Sequence, residues 1–163
     1  SFQGPENVLK QSQYTQPAIF TNSVILDRLF KLHGLQPVAV AGHSLGEYSA
    51  VVSAGALSFE TALKLVKIRG QLMQTAGEKN PGTMAAVLGM NREDIEKVCD
   101  EAAATGIVQP ANFNSPGQIV ISGSVAGVHR AMELAAERGA RLVKELDVSG
   151  ACHSPPARPS RVL

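Results

Sequence analysis

Between Pro17 and His33 apolar residues recur at helical spacing, through Ile19, Leu26, Leu29, Phe30 and Leu32, before Gly34 supplies a stop. Pro17 suits a first helical turn, so the spacing predicts a helix that opens there, preceded by a loop-like polar stretch to Gln16. Val38-Ala39-Val40-Ala41-Gly42 is a short continuous apolar run, which predicts a strand covered on both faces as in a parallel sheet. Gly46, Ala50, Val51, Val52 and Ala54 then predict a buried helix ending near Gly55. Ser58 is a good N-cap, with Glu60 in the first turn, for a helix to about Ala76. Ala62, Leu65, Val66, Arg69, Met73 and Ala76 form one stripe along it, so Arg69 falls on the face that should meet the core.

From Thr83 the periodicity changes. Met84 to Leu88 reads as a strand, Asn91 to Ala104 as a helix capped by Asn91, and Ile107 to Phe113 as a second strand. Asn114-Ser115-Pro116-Gly117 is a turn into a third strand, Gln118 to Ser122. Val125 to Arg138 follows as a helix ended by Gly139, and Arg141 to Leu146 as a last strand. The order β-α-β-β-α-β predicts a ferredoxin-like subdomain over residues 80–147, inserted in an α/β core that begins in residues 1–79 and is rejoined by 148–163. Pro155, Pro156 and Pro159 make the closing residues irregular.

Composition narrows the classes. At 163 residues and 44% hydrophobic content the chain can bury a substantial core. Fifteen Lys and Arg against 14 Asp and Glu leave a formal charge of +1, too little for a basic field that would attract nucleic acid or anionic lipid. No apolar run is long enough to cross a bilayer and no signal-peptide pattern is present, so a cytoplasmic home is expected; a monomer is a separate expectation. Cys99 and Cys152 are far apart without a CxxC pair, which argues against a disulfide framework and a thiolate metal site. The opening at Ser1 without Met suggests a fragment.

Gly42-His43-Ser44-Leu45-Gly46 matches G-x-S-x-G between a predicted strand and a predicted helix, the setting of a nucleophile elbow. There a serine hydroxyl projects from the turn, and the Leu45 N–H can face an oxyanion. An ordinary glycine-rich turn is the bland alternative. Serine needs a base, and histidine has the suitable pKa. His33 and His129 read as structural or solvated, and His43, beside Ser44, can line a pocket. His153 lies in a loop after the last strand, where catalytic residues collect, although on these grounds alone a surface loop histidine is the better explanation. Arg69 needs an anionic partner inside its apolar stripe; Glu47 or Glu60 could serve structurally, and a substrate carboxylate could serve functionally. Met73, Asn112 and Asn114 either line a pocket or fill core and turn.

Several motifs agree with one family. Thr15-Gln16-Pro17-Ala18, Gly42 to Ala50, Ile68-Arg69-Gly70 with Met73, Asn112 to Gln118, and Val148 to Ala151 with His153-Ser154-Pro155 resemble the malonyl-CoA:acyl-carrier-protein transacylases of type II fatty acid synthesis and the acyltransferase domains of polyketide synthases. The resemblance implies an α/β-hydrolase-like core with a ferredoxin-like insert, no metal or other cofactor, and malonyl-CoA and acyl carrier protein as substrates. It implies Ser44 as the acyl-accepting nucleophile, His153 as general base, Arg69 as the clamp on the malonyl carboxylate and Leu45 as an oxyanion donor, with His43, Met73 and Asn114 around the substrate. The family's Gly-Gln-Gly motif does not occur in this sequence, and Cys152 stands where malonyl-specific members often carry Phe. Two other readings compete: a serine hydrolase or thioesterase, and a catalytically silent fragment that binds carrier protein.

Overall fold

The computed structural model describes residues 3–148 and 150–154. The chain divides into two compact units, Ser1–Leu72 and Met73–Leu163. The first is helical: α1 (Glu6–Leu9), α2 (Ser12–Leu32), α3 (Gly46–Ser53) and the larger part of α4 (Phe59–Lys79). Its core is Phe20 and Val24 from α2 against Ala62 and Val66 from α4, flanked by Leu45, Tyr48 and Val52. The Phe20 and Phe59 rings stack at 5.6 Å. Farther along, Gly70 brings the α4 backbone against α2: a Cβ there would lie 2.8 Å from the Ser12 carbonyl oxygen. These contacts set α2 beside α4, which decides where their polar side chains meet.

Three expectations for this unit need correction. The stretch before Pro17 is not a loop: α1 lies within it, and α2 opens at Ser12 with Pro17 inside the helix. A proline there removes one intrahelical N–H bond, and the helix nevertheless runs through it. The predicted strand at 38–42 is irregular, with a bend at Val38 and no ladder partner among the described residues, and Val38 and Val40 are exposed. A doubly covered strand exists only through neighbours on both edges and both faces, and the described residues of the first unit contain no strand. For the same reason α3 is half-exposed rather than buried.

The second unit follows the expected order: β1 (Thr83–Leu88), α5 (Arg92–Ala102), β2 (Val108–Ser115), β3 (Gln118–Gly123), α6 (Val125–Glu137) and β4 (Leu142–Glu145). The strands form one sheet in the order β2-β3-β1-β4, every pairing antiparallel. Caps are local and legible. Asn91 accepts from the Asp94 N–H at 2.8 Å, and Ser124 from the Gly127 N–H at 3.2 Å. One face of the sheet packs Ala85, Val87, Ile119 and Ile121 against Ile95, Val98 and Cys99 of α5 and Val128, Ala131 and Leu134 of α6. Burial pushes the Cys99 thiol up to about 12, helped by Asp100 and Glu96, which leaves it a neutral packing group.

Candidate active site

Ser44 sits in the bend between the 38–42 segment and α3, with φ 54°. A left-handed serine stores strain of about 1–3 kcal/mol and persists only where its surroundings impose it. Gly42 is part of that imposition: a Cβ there would fall 2.1 Å from the Glu47 nitrogen and the Gly46 carbonyl carbon, so only glycine lets the incoming backbone lie on the first turn of α3. The turn closes through Gly46 N–H to His43 O at 2.9 Å and Glu47 N–H to Ser44 O at 3.3 Å. Leu45 precedes the first residue of α3, makes no side-chain cap, and packs on the first unit's core. The Ser44 hydroxyl opens into a trough lined by Ile19, Ser23, Val40, His43 and Ser49, with His43 exposed on its wall.

Arg69 reaches this serine directly. Its Nη2 donates to Ser44 Oγ at 2.9 Å, and its Nη1 donates to Gln16 Oε1 at 2.5 Å. Neither carboxylate considered from the sequence is its partner. Glu47 is exposed in the first turn of α3. The Glu60 carboxyl is held below its ordinary value by its own backbone N–H and by the Ser58 hydroxyl, with lesser help from Arg28 and Lys64. Gln16, 7% exposed, carried no assigned role in the sequence reading. Its signal was its place at the head of the buried α2 stripe Gln16, Phe20, Val24, a polar group at i, i+4, i+8 spacing.

Beyond the trough a polar network ties α2 to α3. Ser53 Oγ donates to Asp27 Oδ1 at 2.6 Å, and Lys31 Nζ donates to Asp27 Oδ2 at 2.9 Å and to the Ser53 carbonyl at 2.7 Å. The Ser53 hydroxyl, and after it Lys31, hold the Asp27 carboxyl below its ordinary value.

The second unit carries the other predicted residues. His153 is exposed and, like Ser44, left-handed, with φ 59°. Gln109 Nε2 donates to its carbonyl at 2.9 Å, and the next residue, buried Ser154, donates from Oγ to Ala151 O at 2.6 Å. Gly150 is pressed on α4, where a Cβ would meet Gly77 Cα at 2.8 Å. Met73 lines a small cavity with Ala76, Gly77, Asn80 and Gly150 to Cys152. Asn114 is exposed near the end of β2, and His129 is bonded to Glu145 at 3.2 Å. The predicted irregular end at 155–163 and Ser149 lie outside the described residues. Among those described, no group of three or more His, Cys, Asp and Glu side chains could hold a metal ion, and no helix is long and apolar enough to cross a membrane.

Comparison with known proteins gives a consistent picture. A family model described as an acyl transferase domain matches residues 2–159. The malonyl CoA-acyl carrier protein transacylase of Bacillus subtilis is 47% identical over 160 residues, 98% of this chain and 50% of that protein. The Escherichia coli K12 protein of the same name is 44% identical over 159 residues, covering 97% and 52%. Among solved structures, the malonyl CoA-acyl carrier protein transacylase of Coxiella burnetii superposes with a TM-score of 0.92 at 47% identity, over 96% of this chain and 50% of that one. A malonyl-transacylase in complex with its type II polyketide acyl-carrier protein superposes at 0.89 with 43% identity, covering 95% and 52%. The chain therefore spans about half the length of the relatives it matches.

Proposed function

The chain belongs to the acyl transferase domain family, and from that premise we propose that it is part of an enzyme moving a malonyl group from coenzyme A to the phosphopantetheine thiol of acyl carrier protein. The Ser44–Arg69 hydrogen bond of 2.9 Å carries the proposal, because it puts a permanent cation at the nucleophile with no carboxylate of this chain, among the described residues, to neutralise it. A site for a plain acyl group has no use for such a charge. An acyl group that ends in a carboxylate does.

In the proposed reaction His153 takes the Ser44 proton as Oγ attacks the thioester carbon, and the Leu45 N–H stabilises the oxyanion. The carbon–sulfur bond breaks and the coenzyme A thiolate leaves with that proton. Arg69 holds the malonyl carboxylate while the acyl-enzyme waits. His153 then deprotonates the carrier thiol, whose sulfur attacks the ester carbon; the carbon–oxygen bond breaks and His153 returns that proton to Ser44 Oγ. His43, Met73 and Asn114 are read as contacts to the substrate. No cofactor enters this scheme, and carrier protein is the proposed partner of a cytoplasmic monomer. We also read the βαββαβ unit as a ferredoxin-like subdomain at 80–147, a reading the sheet order β2-β3-β1-β4 supports, inserted in an α/β-hydrolase-like core with 148–163 returning to it.

Incubation with malonyl-CoA followed by peptide mass spectrometry tests the assignment. A malonyl adduct on the Ser44 peptide that disappears in Ser44→Ala is the expected result. An adduct on another residue rejects it, and turnover of simple esters without preference for a carboxylated acyl group favours the hydrolase reading.

A further inference from the structure

A guanidinium that is only half-exposed ordinarily takes a carboxylate partner, which cancels its charge as it holds its position. Arg69 is held differently. The group that receives its Nη1 is the carboxamide oxygen of Gln16, on a side chain almost wholly buried, while Nη2 points to Ser44. A carboxamide offers a partial negative charge and one fixed acceptor, so it sets the guanidinium's orientation without neutralising it. Of the five N–H donors on an arginine, these two bonds take two and leave three for an incoming anion. The spacing is built into the backbone. Gly70, next to Arg69, lets α4 approach Ser12 and Gln13 so closely that a Cβ would lie 2.8–2.9 Å from them, and Gln16 is one turn farther along α2.

We propose that Gln16 is a positioning and specificity-determining residue: its uncharged carboxamide fixes Arg69 beside Ser44 and keeps the full positive charge available for a carboxylate-bearing acyl group. This rests on the reading of Arg69 as the carboxylate clamp. A glutamate at position 16 could accept two parallel bonds from the planar fork and supply an internal anion that competes with the substrate's. An apolar group of similar length would leave the guanidinium charged but unanchored.

The test is to measure dissociation constants for malonyl-CoA and acetyl-CoA by calorimetry in the unaltered chain, Gln16→Met, Gln16→Glu and Arg69→Ala, with circular dichroism reporting the fold. Gln16→Met should reduce the preference for malonyl-CoA about tenfold, the scale of one hydrogen bond to a charged group, and leave acetyl-CoA binding unchanged. Gln16→Glu should reduce it by about a hundredfold, since anchoring is kept but the charge is cancelled. If Gln16→Glu fails to fold, Gln16→Met still decides. Equal losses for the two donors, or a malonyl preference intact in both variants while Arg69→Ala abolishes it, overturn the role of Gln16 alone. No malonyl preference in the unaltered chain, or one that survives Arg69→Ala, overturns the clamp itself and this proposal with it.

Discussion

The two units treat the same raw material, alternating helices and apolar runs, in opposite ways. In the second, each strand finds its partners within the unit, and its sheet buries Ile119, Ile121 and Val87 under α5 and α6. In the first, the apolar run at 38–42 finds no strand to pair with among the described residues, Val38 is 106% exposed, and Leu29, Phe30, Leu32 and Leu35 are exposed too. An antiparallel sheet whose four strands all lie in one stretch of chain is self-sufficient, because every strand finds its edge partners there, across the hairpin and the two helical crossovers. A parallel strand depends on neighbours that are remote in sequence. The self-sufficient unit carries the loop histidine, and the dependent one carries the nucleophile and the cation.

The largest expected consequence is in hydrogen exchange. Amides of 118–123 should be protected about 10³-fold or more beyond those of 38–42, which lack ladder bonds. Equal protection would remove the contrast. Next is core truncation. Ile121→Ala, at a fully buried position in the larger cluster, should destabilise the second unit by about 2–5 kcal/mol in urea titrations followed through β-sheet dichroism. Loss of helical signal before sheet signal in the unaltered chain would sharpen the comparison further. A smaller effect is expected from Asn91→Ala, which deletes the α5 cap and should cost about 1 kcal/mol by the same titration.

The smallest effect is electrostatic. The Thr83 hydroxyl, and after it His129, hold the Glu145 carboxyl below its ordinary value. A carboxyl depressed by folding contributes stability above its unfolded pKa and loses it as pH falls through the folded one. Thr83→Val should therefore raise the Glu145 titration midpoint seen by NMR and make the second unit less sensitive to acid. An unmoved midpoint would show that the hydroxyl has no hold on the carboxylate.

The amino-acid sequence by itself determined the elements whose causes are local. The Asn91 and Ser58 caps, the Gly34 stop with φ 82°, the βαββαβ order and the elbow around Ser44 all follow from residues within a few positions of one another. The arginine in an apolar stripe also announced that it needed a partner. Only the tertiary structure decided who that partner was. Gln16 and Arg69 are separated by 53 positions and meet because Phe20 stacks on Phe59 and Gly70 admits the α2 backbone. The fate of 38–42 was equally out of reach of local pattern, since apolar residues state that cover is wanted, and whether anything supplies it depends on what else is folded beside them.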